Sequence, residues 1–331
     1  MKQRLADNIS LVAQTPGLDY EAVEIVVTIP TFKRPEHVLK TLASVKNQTT
    51  KRNFAIVLIE NEAEAREGAL AAAPLFENGE YCGITIIAHD RGNCNAYNAG
   101  WFTALQKFAN LKYIAVIDDD EIADPDWLEN LCATSERYDV SVVGAPQVPV
   151  FEGAVPNKWK THPVFTPHYS KTGPVEIIYS SGNLLVRRDL LQEMPQPFFD
   201  LAFNFTGGGD ADLIRRSKSQ GFKIAWCDEA RIFETVPARR VTWDWIQKRS
   251  LRNGQLSALI AHRQARGSVF NNIKVVIHSL ALLIVSPLRA LVQFVKSGSV
   301  LSSLYPVHIA MGRIASEFGY ANEQYRNPEQ N

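Results

Sequence analysis

A chain of 331 residues, 46% hydrophobic and 21% charged, has an ordinary globular composition and room for one large α/β domain or two smaller ones. Its 35 basic and 35 acidic residues cancel, yet ten Lys/Arg and a single acid, Asp244, lie between Arg239 and Lys296, a stretch suited to phosphate or anionic lipid. That stretch has no nucleic-acid reader motif, the four cysteines form no C-x-x-C pair, and no apolar core follows the first basic residues, which weighs against a nucleic-acid partner, a zinc or disulfide framework and a secretory signal.

Residues 1–22 read as an N-terminal extension. From there to about residue 145, apolar runs alternate with amphipathic segments, and strands are predicted at 24–29, 54–60, 84–88, 113–117 and 140–143. Between the first two lies a helix over 38–46, with Val38, Leu39, Leu42 and Val45 on one face and Pro35 in its first turn. Such alternation predicts an α/β fold with a mostly parallel sheet flanked by helices. Residues 146–174, rich in Pro, His and aromatics, read as a loop-rich insertion. Strand-like runs return at 176–179, 183–186, 224–227 and 231–234, and the last third is helical.

Within that helical third, the fourteen residues between Lys274 and Arg289 carry no Asp, Glu, Lys or Arg. A membrane span needs roughly 20 apolar residues, so a run of this length suits an interfacial or core helix better. Lys274, His278, Arg289 and Gln293 fall near one stripe, which favours the interfacial form over a core helix or a true span. Pro287 is expected to kink it.

The chemistry concentrates at strand ends. Asp118, Asp119 and Asp120 follow directly on the apolar run 113–117, where an open α/β sheet places its ligands. Adjacent carboxylates repel and lose solvation there unless a hard divalent cation, Mg²⁺ or Mn²⁺, gathers them; an acidic turn is the alternative. Pro30, Thr31, Lys33 and Arg34 close the first strand, and Glu60-Asn61 the second. Arg91-Gly92 to Asn98-Ala99-Gly100 reads as a turn opening a helix. Gly207-Gly208-Gly209 leads to Asp210, which opens another helix either as a plain cap or as a carboxylate held ionised for base catalysis.

In this order the segments resemble the family 2 inverting glycosyltransferases of GT-A fold over roughly residues 23–254, most closely the bacterial exopolysaccharide enzymes. The resemblance implies a Rossmann-like nucleotide half (23–145) and an acceptor half (146–254); residues 255–331 beyond it read as a helical C-terminal region whose apolar run suits membrane association. It implies that Asp120 and Asp118 hold the metal, and that Pro30, Thr31, Arg34, Glu60, Asn61, Arg91, Asn98, Asp118 and Asp119 bind the nucleotide sugar together with Arg239, Arg240 and Trp243. Asp210 matches the general base, with Gly208, Gly209 and Asp212 toward the acceptor. The implied donor is a UDP-sugar, and the acceptor a saccharide or lipid-linked oligosaccharide at the inner face of the cell membrane. One departure stands out: the family usually has Glu-Asp where this chain has Gly209-Asp210. A non-catalytic sugar-nucleotide-binding scaffold and a nucleotidyltransferase are the competing readings; the latter expects a glycine after the first strand that Pro30-Thr31-Phe32 does not supply.

Overall fold

The computed structural model describes residues 6–178, 182–265 and 268–320. The chain divides into two compact units, residues 1–147, 169–205 and 209–234 in the first and residues 148–168, 206–208 and 235–331 in the second.

The first unit opens with β1 (Ile9–Gln14), followed by β2 (Ile25–Thr31), α1 (Pro35–Lys46), β3 (Phe54–Glu60), α2 (Glu67–Glu77), β4 (Gly83–Ala88), α3 (Asn93–Lys107) and β5 (Tyr113–Ile117). Next come β6 (Glu121–Ala123), α4 (Trp127–Tyr138), β7 (Val142–Gly144) and β8 (Gln147–Phe151), along which the chain leaves for the second unit and its short α5 (Asn157–Lys160). The first unit resumes with β9 (Gly173–Pro174), β10 (Asn183–Arg187), α6 (Arg188–Glu193), α7 (Gly209–Ser219), β11 (Ile224–Trp226) and β12 (Ile232–Val236). Nine of these strands form one sheet in the order β1-β4-β3-β2-β5-β10-β7-β11-β9. Strands β4, β3, β2 and β5 run parallel, and β10 lies antiparallel between β5 and β7. Helices cover both faces, so every residue of β4 and β5 is buried. Helix α1 buries Val38, Leu42 and Val45 and starts at Pro35, as its pattern predicts.

Several elements differ from the sequence expectation, among them β8, which falls inside the predicted loop-rich insertion and pairs with β12. Residues 9–14, inside the predicted extension, form an edge strand antiparallel to β4. Only Ala13 of that strand is buried, and Ser10 interrupts its apolar residues, so it lacks the continuously apolar pattern of the central strands. In the predicted strand 176–179, residues 176–178 do not pair and Tyr179 lies outside the described residues; the paired residues are Gly173–Pro174. Ile178 instead packs on Gly144, where an added Cβ would stand 2.7 Å from it.

The second unit is mainly helical, with α8 (Trp243–Gln264), α9 (Val269–Ser297), α10 (Val300–Ser303) and α11 (Tyr305–Glu317). Helices α8 and α11 approach so closely that a Cβ on Gly254 would lie 2.1 Å from the Ile309 carbonyl oxygen, and one on Gly312 1.9 Å from that of Leu251. Helix α9 runs unbroken through Pro287. Proline leaves the carbonyl four residues back without its donor; here the Ser286 hydroxyl donates to Leu283 O at 2.8 Å and fills that role.

Candidate active site

After β2 the chain builds β3 and β4 to one side, then returns to place β5 on the other. The point between β2 and β5 is therefore the topological switch, the crevice where doubly wound sheets bind ligands. Thr31 to Arg34 leave β2 there, and Asp118 to Asp120 leave β5.

Local bonds fix the three aspartates in different roles. Asp118 Oδ1 accepts from the Tyr97 hydroxyl at 2.5 Å, and the Asp118 amide donates to Glu121 Oε2 at 2.9 Å. Asp119 is buried and takes the Thr31 hydroxyl at 2.8 Å and Arg34 Nη1 at 3.1 Å. Asp120, the outermost, pairs with the same Arg34 nitrogen at 2.7 Å. From beneath, Thr41 Oγ1 of α1 lies 2.9 and 2.7 Å from the carbonyl oxygens of Asp119 and Glu121, which holds the turn against the helix.

Crowding shows in the ionisation. Burial, with the charges of Asp120, Asp119 and Glu234, pushes Asp118 up to about 7 against the opposing Tyr97 hydrogen bond. Burial likewise lifts Asp119 to about 6, with Arg34 pulling it down and Asp120 pushing it up. Glu121, buried beside Asp118, is raised well above the carboxylate range. The Arg34 guanidinium is hydrogen-bonded to Asp119 and Asp120, and burial works against its charge while those two carboxylates sustain it.

This has a consequence for stability. Asp118 ionises less readily in the fold than in the unfolded chain, so the folded state holds the extra proton and loses stability as pH rises from about 4 through about 7. Asp118→Asn keeps an acceptor for Tyr97 and removes the charge. In chelator-treated protein it is expected to gain on wild type across that window, by an amount on the order of 1–4 kcal/mol at 1.36 kcal/mol per unit. Thermal unfolding at pH 4.5 and at pH 8 checks this; a gap that does not change with pH would sink it.

The donor set suits a hard divalent cation. Among the described residues no three His, Cys, Asp or Glu side chains form a ready cage. Mg²⁺ does not need one, since it is commonly held by one or two carboxylates together with substrate phosphates. Asp118 and Asp120 would supply such a pair, and the desolvation of Asp118 and its repulsion by Asp120 are what a cation would relieve.

On the β3 side, the expected nucleotide residues are bonded to backbone. Pro30 lies half-buried at the end of β2. Glu60 is fully buried and accepts from the amides of Glu62 at 2.9 Å and Ala69 at 3.1 Å, the latter in the first turn of α2. Burial raises its pKa and those amides oppose the rise. Asn61 takes the Gly92 amide at 2.7 Å and donates to the carbonyls of Ala88 and Asp90 at 3.1 and 2.8 Å, tying the ends of β3 and β4 together. The Arg91 guanidinium lies 5.0 Å from the centre of the Phe32 ring. Asn98 is buried and exchanges two hydrogen bonds with the Phe199 backbone, at 2.8 and 2.9 Å.

Asp210 stands in the first turn of α7, partly exposed. Asp212 is buried and paired with Arg216 at 2.7 Å, while Arg216 also donates to Phe198 O. Gly209 is buried, and a Cβ there would stand 2.9 Å from Cys94 Sγ and 3.4 Å from Phe199. A glutamate at this position would therefore have to displace Cys94. Burial, with the charges of Asp210, Asp200 and Asp212, pushes the Cys94 thiol far up, so it stays neutral.

Three residues outside the sequence expectation join these parts. Tyr97 stacks on Phe199 with ring centres 4.9 Å apart while its hydroxyl holds Asp118. Asn204 accepts from the Asn95 amide at 3.2 Å and donates to Arg91 O at 2.9 Å, anchoring the start of α3. Tyr97 is adjacent to Asn98 in sequence, a signal that was there to be read; Phe199 and Asn204 lie about a hundred residues away, with none. Gly208, Arg239, Arg240 and Trp243 belong to the second unit, the arginines in a short 3₁₀ turn (Ala238–Arg240) and Trp243 at the start of α8, 42% exposed.

Residues 26–194 match the family model described as glycosyl transferase family 2. A succinoglycan biosynthesis protein, ExoM, from Rhizobium meliloti is 28% identical over 261 residues, covering 75% of this chain and 78% of that one. A glucosyl-dolichyl phosphate glucuronosyltransferase from Haloferax volcanii is 24% identical over 250 residues, 70% and 75% of the two chains. Among solved structures, the mannosyltransferase PcManGT from Pyrobaculum calidifontis, in complex with GDP-Man and Mn²⁺, aligns at a TM-score of 0.57 and 15% identity, covering 95% of this chain and 92% of the other. Residues 1–349 of S. aureus TarS, in complex with UDP, align at 0.50 and 12%, covering 90% and 92%. These two likenesses establish a common fold, the GT-A architecture expected from the sequence.

Proposed function

Because the chain belongs to glycosyl transferase family 2, we propose that it is an inverting glycosyltransferase that moves a sugar from a UDP-sugar to a hydroxyl of a saccharide or lipid-linked oligosaccharide. The observation that carries the reading is the set of crowded carboxylates at the switch point, with Arg34 bridging Asp119 and Asp120 beside them. In this reading Asp118 and Asp120 hold Mg²⁺ or Mn²⁺, which supplies positive charge to the diphosphate of the leaving nucleotide. Thr31, Arg34 and Asp119 shape the nucleotide side. Asp210, on the first turn of α7, takes the proton of the acceptor hydroxyl as the new bond forms, a place where the positive end of the helix favours a carboxylate. The protein named for succinoglycan biosynthesis supports a polysaccharide acceptor. Its place in this reading is the cytoplasmic face of the cell membrane, with the apolar α9 as the contact.

The test is nucleoside diphosphate release from a panel of UDP- and GDP-sugars, with and without Mn²⁺, in the presence of a lipid-linked acceptor fraction. Metal-dependent release that rises with acceptor is the expected result, and it names the donor. Metal-dependent binding without release would make the chain a non-catalytic scaffold, as Gly209 in place of the usual glutamate would then signify. Release of pyrophosphate would make it a nucleotidyltransferase.

A further inference from the structure

Helix α9 is built inside out. Its buried side carries Ser279 and Ser286, whereas Phe270, Ile273, Ile277, Ile284, Leu288 and Val295 are all 50–78% exposed. At 100° per residue these six fall within an arc of about 60°. The inner side is polar because it closes a network. Ser279 donates to Glu317 at 3.1 Å and accepts from the buried Arg313 at 3.2 Å, and Arg313 also donates to Ser257 at 2.6 Å. His262 bridges Asn272 at 2.9 Å and Glu317 at 2.8 Å. Near the other end, Lys158 donates to Gly298 O at 2.8 Å.

A second pattern runs along one border of the apolar face. Lys274, His278, Arg289 and Lys296 share another arc of about 60°, and the helix has no Asp or Glu. Apolar surface of this extent on a soluble face needs a cover. A one-sided basic border complements an anionic surface in particular.

The network also decides the orientation. A spanning helix would be ringed by lipid and would draw Arg313, Glu317 and Lys158 toward the hydrocarbon, which is costly for ionised groups. One side of α9 packs instead on α8 and α11. We propose that α9 lies flat along an anionic lipid surface, its Phe270–Val295 face in the acyl boundary and Lys274, Arg289 and Lys296 on the headgroup phosphates. This deepens the membrane placement above and rests on it.

The full chain is floated with phosphatidylcholine vesicles, with and without phosphatidylglycerol. Wild type is expected to float with the anionic vesicles. Lys274→Gln/Arg289→Gln/Lys296→Gln is expected to bind them about 100-fold more weakly, with helical content unchanged. Equal binding by wild type and triple variant, or equal binding to both vesicle types, would overturn the headgroup assignment. Orientation is read from nitroxide depth at Ile273→Cys, Ile284→Cys or Val295→Cys in a Cys82→Ser background, Cys94, Cys132 and Cys227 being buried. Equal, shallow depths support a flat helix, and a deep centre with shallow ends would overturn it. If no vesicle binds and light scattering shows a dimer, the face covers a second copy instead. Nucleoside diphosphate release measured in detergent does not depend on any of these outcomes, so the anchor and the transferase reading fail separately.

Discussion

Asp120→Asn is expected to abolish metal-dependent sugar transfer and leave the fold standing. Asp120 is the outermost of the three aspartates, and its carboxylate pairs with Arg34 at 2.7 Å. Asparagine still offers Arg34 an acceptor, and Asp119 keeps its own bond to the same guanidinium at 3.1 Å. The packing of the turn therefore survives, while one of the two carboxylates proposed to hold the cation is gone. A bound metal contributes several kcal/mol of charge stabilisation, so a fall of about 10³-fold in kcat/KM follows. Mn²⁺ binding, followed by the loss of the free ion's paramagnetic signal, should weaken in parallel. Full activity at saturating Mn²⁺ would remove Asp120 from the metal site.

The second large effect is expected at Asp210. Asp210→Asn should lower kcat by about 10²–10⁴-fold, the usual range for a general base, and leave donor affinity nearly unchanged. The two effects separate because Asp210 sits on α7, which Arg216 fastens to Phe198 O, while the carboxylates expected to meet the donor sit after β5. The variant should still bind UDP with metal. A variant that lost donor affinity but kept its maximal rate would show that the base lies elsewhere.

The parallel half of the sheet was legible because strands buried on both faces must be continuously apolar, as in 54–60 and 113–117. Edge strand β1, buried only at Ala13, carries no such signal. The aspartates were legible for the opposite reason, as charge placed where a core would not reward it. Their support was not. Glu121 reads as one more acid in a turn, yet it holds the Asp118 amide. Glu60 and Asn61 illustrate a similar limit. A strand ending in polar side chains does not disclose in sequence which backbone amides those groups hold, here the amides of Glu62, Ala69 and Gly92. The inverted polarity of α9 was half legible. Its uncharged run announced an unusual helix, but the partners that pull Ser279 inward lie in distant segments.

Tyr97 and Asn98 are consecutive on α3, and both grip Phe199, one by its ring and the other by its backbone. Cys94, one turn earlier, fills the space beside Gly209. Residues 94–98 are therefore shaped to Phe199 and Gly209 of the same compact unit. A Gly209 loop transplanted from a relative would arrive without the helix turn that fits it, so exchange of the loop together with residues 94–98 is the smallest swap that keeps these contacts.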